Sequence, residues 1–298
     1  MPNAAVKLFD THAHFFTSDT DAYPVDVTGA REGEDAIRQR ISKDPIDAER
    51  LLNLWDETGV TGGAAVQYNT IYKTDNRYAL AVADQHPDRA STVLILNAAA
   101  PDTPAIIREL AKAHNVAGLR LFGYPDQRGE YPWLDSSAAL KSWEMAASLG
   151  LSMVVMYAPG RPSAAALQRI KGLARRFPST PIAIDHCGWP AVDSGDEGTV
   201  GAEHAALADA ANIHFKFTQI NLNRFQENGI DPARFVQEMV HVFGARRLMW
   251  GSDVGNTTVT YGDMVAQAIA ATSLLSEEER VQVLHDNGQR LFGRGVAI

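Results

Sequence analysis

Eight short apolar or β-branched runs, at 6–10, 62–66, 90–96, 116–121, 151–156, 181–185, 213–217 and 247–251, alternate with stretches of helical periodicity. Parallel strands need a crossover of a dozen or more residues to return beside one another, so this alternation predicts βαβ units and a helix-covered sheet. The intervening helices are expected at 47–58, 77–86, 104–114, 137–149, 163–177, 232–243, 261–272 and 276–292. In the first of these Leu51, Leu52 and Trp55 fall on one helical face, and Gly59 follows as a stop. Eight such units in 298 residues fit a single (β/α)8 barrel spanning residues 1–298, since that fold closes at about 250 residues. A doubly wound sheet is the alternative, but no Gly-x-Gly-x-x-Gly or phosphate loop follows the first run. The irregular stretches 15–30, 122–135 and 189–201 each follow a strand, at the end where barrels build active sites.

Composition narrows the partners. Lys and Arg number 27 against 36 Asp and Glu, a net charge of −9, and the basic residues are scattered. No polyanion-binding face is expected, so nucleic acid is set aside. Cys187 is the lone cysteine and cannot close an intrachain disulfide, which fits a reducing compartment. No signal-like apolar segment opens the chain, and no run approaches the roughly 18 apolar residues of a membrane span. The expectation is a cytoplasmic protein with no membrane partner; oligomeric state is not readable.

The sharpest chemical signal is Asp10-Thr-His-Ala-His14 at the end of the first strand. Residues two apart on a strand share a face, so His12 and His14 point together. His186 stands where the sixth strand ends, in Ile-Asp-His-Cys-Gly-Trp-Pro190, and Asp253 where the eighth ends, in Trp-Gly-Ser-Asp253. In a barrel these four groups converge on one mouth, and clustered imidazoles with a carboxylate can bind a divalent cation or run acid–base chemistry. The other histidines read as structural: His86 and His114 end helices, His204, His241 and His285 lie within helical stretches, and His214 leads into the seventh strand. Cys187 reads as a small buried hydrophobe. No Gly-x-Ser-x-Gly elbow is present, so no acyl-enzyme is required.

These motifs, in this order, resemble the amidohydrolase superfamily, and more narrowly its amidohydrolase-2 branch of sugar and pyrone lactonases. The closing Asp286-Asn-Gly-Gln-Arg-Leu-Phe-Gly293 is similar to that branch's last helix, so the likeness runs the length of the chain. Thr74-Asp-Asn-Arg77, Gly118-Leu-Arg120, Val154-Val-Met-Tyr157 and Lys216 are similar to the 2-pyrone-4,6-dicarboxylate lactonases in particular. The resemblance implies a barrel that opens a lactone by attack of water on the ring carbonyl. It makes Asp253 the general base and has His12, His14 and His186 polarise the carbonyl. It also implies a mechanism with no cofactor required; the alternative is one divalent ion, zinc or manganese, on His12, His14, His186 and Asp253. Tyr157 occupies the strand-five position where metal-binding members carry a His.

The mouth residues suggest a small anionic lactone, a pyrone dicarboxylate or a sugar-acid lactone. Arg120 can fork onto a carboxylate. Tyr157, Gln67 and Asn69 can supply hydrogen bonds, and Arg224 is a second candidate for an acidic group. The chain departs from the dicarboxylate pattern after Arg120, where no second basic residue closely follows, and after Asp253, where Val-Gly-Asn-Thr-Thr258 replaces an aromatic followed by Pro-His. Competing readings on the same constellation are a metal-dependent decarboxylase, a lactone isomerase and a catalytically inactive sugar-acid binder.

Overall fold

In the computed structural model, which describes residues 6–158, 163–192 and 200–295, all eight predicted runs are parallel strands. They are β1 (Leu8–Ala13), β2 (Val60–Val66), β3 (Ala90–Ile95), β4 (Val116–Gly123), β5 (Ser152–Tyr157), β6 (Ile182–Ile184), β7 (Ile213–Thr218) and β8 (Leu248–Gly251). Their order in the sheet is their order in the chain, with no reversal of the kind a doubly wound sheet requires. The result is a nearly closed (β/α)8 barrel in a single domain.

The seam between β8 and β1 is closed largely by side chains and single backbone contacts. Asp253 N donates to His12 O at 2.8 Å, Thr11 Oγ1 donates to Trp250 O at 2.6 Å, and Ser252 N donates to Asp10 Oδ1 at 2.8 Å. Gly251 permits this approach, because a Cβ there would lie 2.5 Å from His12 Cβ. Inside the barrel Phe9, Val66, Val93, Val154 and Met249 fill the centre, and Leu291 and Phe292 of the last helix join the same cluster. A larger apolar layer lies between strands and helices.

The helices form where periodicity and capping agree. Ala48–Thr58 begins on Asp47, whose side chain accepts from Arg50 N, and ends on left-handed Gly59. The predicted 276–292 helix is continuous but uneven: Glu277–Val281, a π-helical turn Gln282–Asp286, then Asn287–Phe292. Two of the longer helices escape the apolar-periodicity argument: Glu34–Lys43, where only Ile37 and Ile41 are buried, and Gln219–Glu227, whose buried face includes the polar Gln219 and Asn221 beside Leu222 and Phe225. The expected loop 122–135 is shortened by β4 and by a helical turn at Pro132–Asp135. Part of the expected loop 189–201 lies outside the described residues. The excursion after β1 is tied at its base by an antiparallel bridge, Phe16 with Ile46. Among the described residues no helix is long and apolar enough to cross a membrane.

Candidate active site

The strand ends deliver His12, His14, His186 and Asp253 to one buried cluster, each of them at most 2% exposed. Asp253 sits just past β8 with φ 57°, a left-handed conformation unusual outside glycine. Its Oδ1 lies 3.2 Å from His14 Nε2 and 3.6 Å from His12 Nε2. Asn256 Nδ2 donates to the same oxygen at 2.6 Å, while Oδ2 is buried without a hydrogen-bond partner among the described residues. His186 stands nearby, its ring 5.5 Å from that of His12.

Second partners orient the imidazoles. His14 Nδ1 meets the Val66 carbonyl at 2.9 Å. A carbonyl only accepts, so this nitrogen carries the proton, and the Nε2 of a neutral His14 turns a lone pair toward Asp253. A lone pair and a carboxylate at that distance repel, so either a second proton or a cation belongs between them. His186 Nδ1 pairs with Thr218 Oγ1 at 2.7 Å. Burial lowers the His12 imidazole to about 3 against the pull of Asp185 and Asp253, so it is neutral near pH 7. Burial likewise lowers His186. For Asp253, burial alone acts upward, but a proton shared with His14 and the facing His186 and His12 outweigh it and hold the carboxyl below its usual range.

His12, His14 and Asp253 each offer one ligand atom, all within 4.8 Å of one another. Nε2 of His12 is a buried polar atom lacking a hydrogen bond among the described residues, and Nε2 of His14 faces the carboxylate, which is what a cation's donor set looks like before the cation arrives. The residues therefore fit one divalent ion. The expected four-residue metal set narrows to these three; His186 stands outside it.

Asp185 was missed by the residue-by-residue reading. β6 ends at Ile184, one residue earlier than expected, and Asp185–Gly188 forms a tight turn with His186 and Cys187 both left-handed. The turn aims the Asp185 carboxylate into the barrel. Its Oδ2 accepts from Arg120 Nε at 2.7 Å, and its Oδ1 lies 3.2 Å from His12 Nδ1 and 3.4 Å from Lys216 Nζ. Burial acts upward on Asp185, but His12, Lys216 and Arg120 outweigh it and hold it well below its usual range. Lys216 is fully buried, donates to Thr11 O at 2.8 Å, and lies 4.7 Å from the Phe292 ring centre. It braces β7 against β1. Only the Asp-His spacing in Ile-Asp-His186 could have flagged Asp185.

The other expected mouth residues separate. Arg120 spends its Nε on Asp185 and keeps its two terminal nitrogens free of protein hydrogen bonds among the described residues. Arg224 lies 5.7 Å over the Trp189 ring, and Trp189 packs 4.8 Å from His186, so Arg224 borders the site through Trp189. Tyr157 directs its hydroxyl to the Gly188 carbonyl, bracing the turn that carries His186. Gln67 donates to the carbonyls of Lys73 and Asp75 and shapes that loop. Asn69 opens a short helix, Asn69–Tyr72, with its side chain half-buried. His204 is a buttress: its Nε2 lies 3.0 Å from both the Cys187 and Gly188 carbonyls. Cys187 is buried, as expected, in the turn that follows β6, and burial pushes its thiol up.

The family model described as Amidohydrolase matches residues 9–294. An L-fucono-1,5-lactonase from Burkholderia ambifaria is 28% identical over 250 residues, covering 82% of this chain and 79% of that protein. Among solved structures, a "probable 2-pyrone-4,6-dicarboxylic acid hydrolase" from Acinetobacter baumannii, with citric acid bound, superposes with a TM-score of 0.71 at 21% identity, over 96% of this chain and 99% of that one. An amidohydrolase from Burkholderia multivorans with bound zinc gives 0.71 at 18% identity, over 96% and 98%.

Proposed function

The chain belongs to the amidohydrolase family, and from that premise we propose that it is a hydrolase opening the ring of a small, acidic lactone. One observation carries the reading: a buried Asp253 whose Oδ2 has no hydrogen-bond partner among the described residues, surrounded by three imidazoles at the strand ends of a barrel. The likeness to an L-fucono-1,5-lactonase over most of both chains supports the lactone as substrate class.

Each residue has a task the chemistry needs. Asp253 Oδ2 accepts the proton of the attacking water. As the ring carbonyl becomes tetrahedral its oxygen gains charge, and the imidazole of His186, at the edge of the cluster, stabilises it. Asp253 then returns the proton to the departing alkoxide. Arg120, fixed by Asp185, presents its two terminal nitrogens to a substrate carboxylate. Trp189 and Arg224 wall the other side. His12, His14 and Asp253 are the residues that would hold a divalent ion, zinc or manganese, which when bound supplies Lewis acidity and lowers the pKa of a bound water toward about 7. Asp185 and the Val66 carbonyl set the ring orientations of His12 and His14 with or without it.

The test is a proton-release assay against sugar-acid 1,5-lactones, starting with L-fucono-1,5-lactone, and against 2-pyrone-4,6-dicarboxylate. Hydrolysis of at least one, faster for carboxylated rings than for neutral ones, is expected. Absence of any ring opening, with carbon dioxide released from carboxylated phenols instead, would replace lactonase by decarboxylase.

A further inference from the structure

The loop after β8 holds Asp253 through contacts that the catalytic assignment leaves unused. Asn256 reaches Asp253 Oδ1 with Nδ2, and its other end, Oδ1, lies 2.9 Å from the Tyr68 hydroxyl. The two ends of an amide are told apart only by their partners. A carboxylate only accepts, so the NH2 end faces Asp253 and the carbonyl end faces the Tyr68 hydroxyl, whose one proton is shared between Asn256 Oδ1 and the Gly255 carbonyl. Tyr68 is buried, and burial keeps its hydroxyl protonated by pushing it up. Its ring stacks on His14, centroids 4.5 Å apart at 10°. The same hydroxyl lies 2.9 Å from the Gly255 carbonyl, which also accepts from Arg40. Arg40 comes from helix Glu34–Lys43 and is paired with Glu32 at 2.9 Å, so the excursion after β1 is pinned to the loop carrying Asp253.

We propose that Tyr68 and Asn256 are positioning residues acting as one clamp, which sets the rotation of the Asp253 carboxylate against His14. The proposal rests on the reading of Asp253 as the base. His14, His12 and Asn256 all converge on Oδ1, while Oδ2 has no hydrogen-bond partner among the described residues. Rotation of the carboxylate therefore decides which oxygen meets the water. The carboxylate is carried on a left-handed residue, a conformation that persists only where surrounding contacts over-determine it. Through the stack on His14 and the Asn256 bridge to Asp253, Tyr68 links both halves of the pair.

Two variants separate the clamp from mere packing. Tyr68→Phe keeps the stack on His14 and deletes the hydroxyl; Asn256→Leu keeps the volume and deletes both amide ends. For each, and for the double variant, kcat and KM for lactone opening are measured alongside the thermal midpoint. Imidazole 15N–1H correlations are recorded on the substrate-free protein. Losing a hydrogen bond to a charged group lowers kcat in Asn256→Leu about 10- to 100-fold, with KM changed by less than about twofold. Tyr68→Phe loses less in the same sense, and the double variant is no worse than Asn256→Leu, because coupled residues are not additive. The His14 signals shift in both single variants. Unchanged kcat with unshifted His14 signals would overturn the clamp, as would additive losses in the double variant. If the wild type opens no lactone, the proposed function fails while the clamp is still decided: shifted His14 signals in both variants support it, and unshifted ones overturn it.

Discussion

Replacing Asp185 by Asn is the perturbation whose consequence the structure specifies most fully. Asp185 is 1% exposed and is the carboxylate shared by Arg120 at 2.7 Å, Lys216 at 3.4 Å and His12 at 3.2 Å. The amide keeps the shape and one acceptor, so packing is preserved while the charge and the second acceptor are lost. Two buried cations are then left facing each other without a counter-charge. Breaking a buried pair in this way costs about 3–5 kcal/mol, a large fraction of the roughly 5–15 kcal/mol that holds a domain folded. It corresponds to a fall in Tm of roughly 6–20 °C. The assay is guanidinium and thermal unfolding followed by far-ultraviolet circular dichroism, with Lys216→Met and the double variant alongside. Removing Lys216 as well deletes one of the stranded cations, so Asp185→Asn/Lys216→Met should be more stable than Asp185→Asn alone. An Asp185→Asn protein within about 1 kcal/mol of wild type, below the cost of any broken buried pair, would refute the reasoning.

Three further outcomes are expected. Arg120→Lys keeps a cation near Asp185 but loses the fork, so KM should rise mainly for carboxylated lactones, by about tenfold or more; equal loss on neutral lactones would make Arg120 purely structural. His214, 6% exposed, is lowered to about 3 by burial, with Arg290 and Arg247 adding to the effect. The unfolded chain therefore binds a proton that the folded one refuses between about pH 6.5 and 3, and its contribution to stability falls as pH drops through that window. His214→Leu should flatten the pH dependence of unfolding by about 1.4 kcal/mol per pH unit near pH 5, read from denaturant midpoints, and an unchanged slope would show that His214 titrates normally. Gly251→Ala pushes a methyl against His12 Cβ and should destabilise the β8–β1 seam by about 1–3 kcal/mol while lowering kcat; a neutral result would mean the seam is slack.

The barrel was legible because parallel strands buried on both faces become continuous apolar runs, and all eight such runs are strands here. The four polar groups at the mouth were legible for a related reason: His12, His14, His186 and Asp253 stand where those runs stop. What periodicity could not convey is pairing across the barrel. Asp185 meets Arg120, 65 residues away, only because β6 breaks into a left-handed turn. Tyr157, Gln67 and Lys216 have side chains capable of binding substrate, yet each meets a backbone carbonyl that only the fold brings near. Asn256 lay in a loop already notable for departing from the lactonase pattern, but its grip on Asp253 depends on the Tyr68 ring arriving from β2.

The central claim is that Asp253 activates water for lactone opening, and Asp253→Asn tests it most directly. Wild type and variant are compared in the proton-release assay, each prepared with zinc, with manganese and after chelation, with unfolding curves recorded in parallel. Loss of the base should cut kcat by about 10²–10⁴-fold in whichever preparation the wild type is active, with the fold retained. A folded Asp253→Asn protein turning over at the wild-type rate would contradict the account.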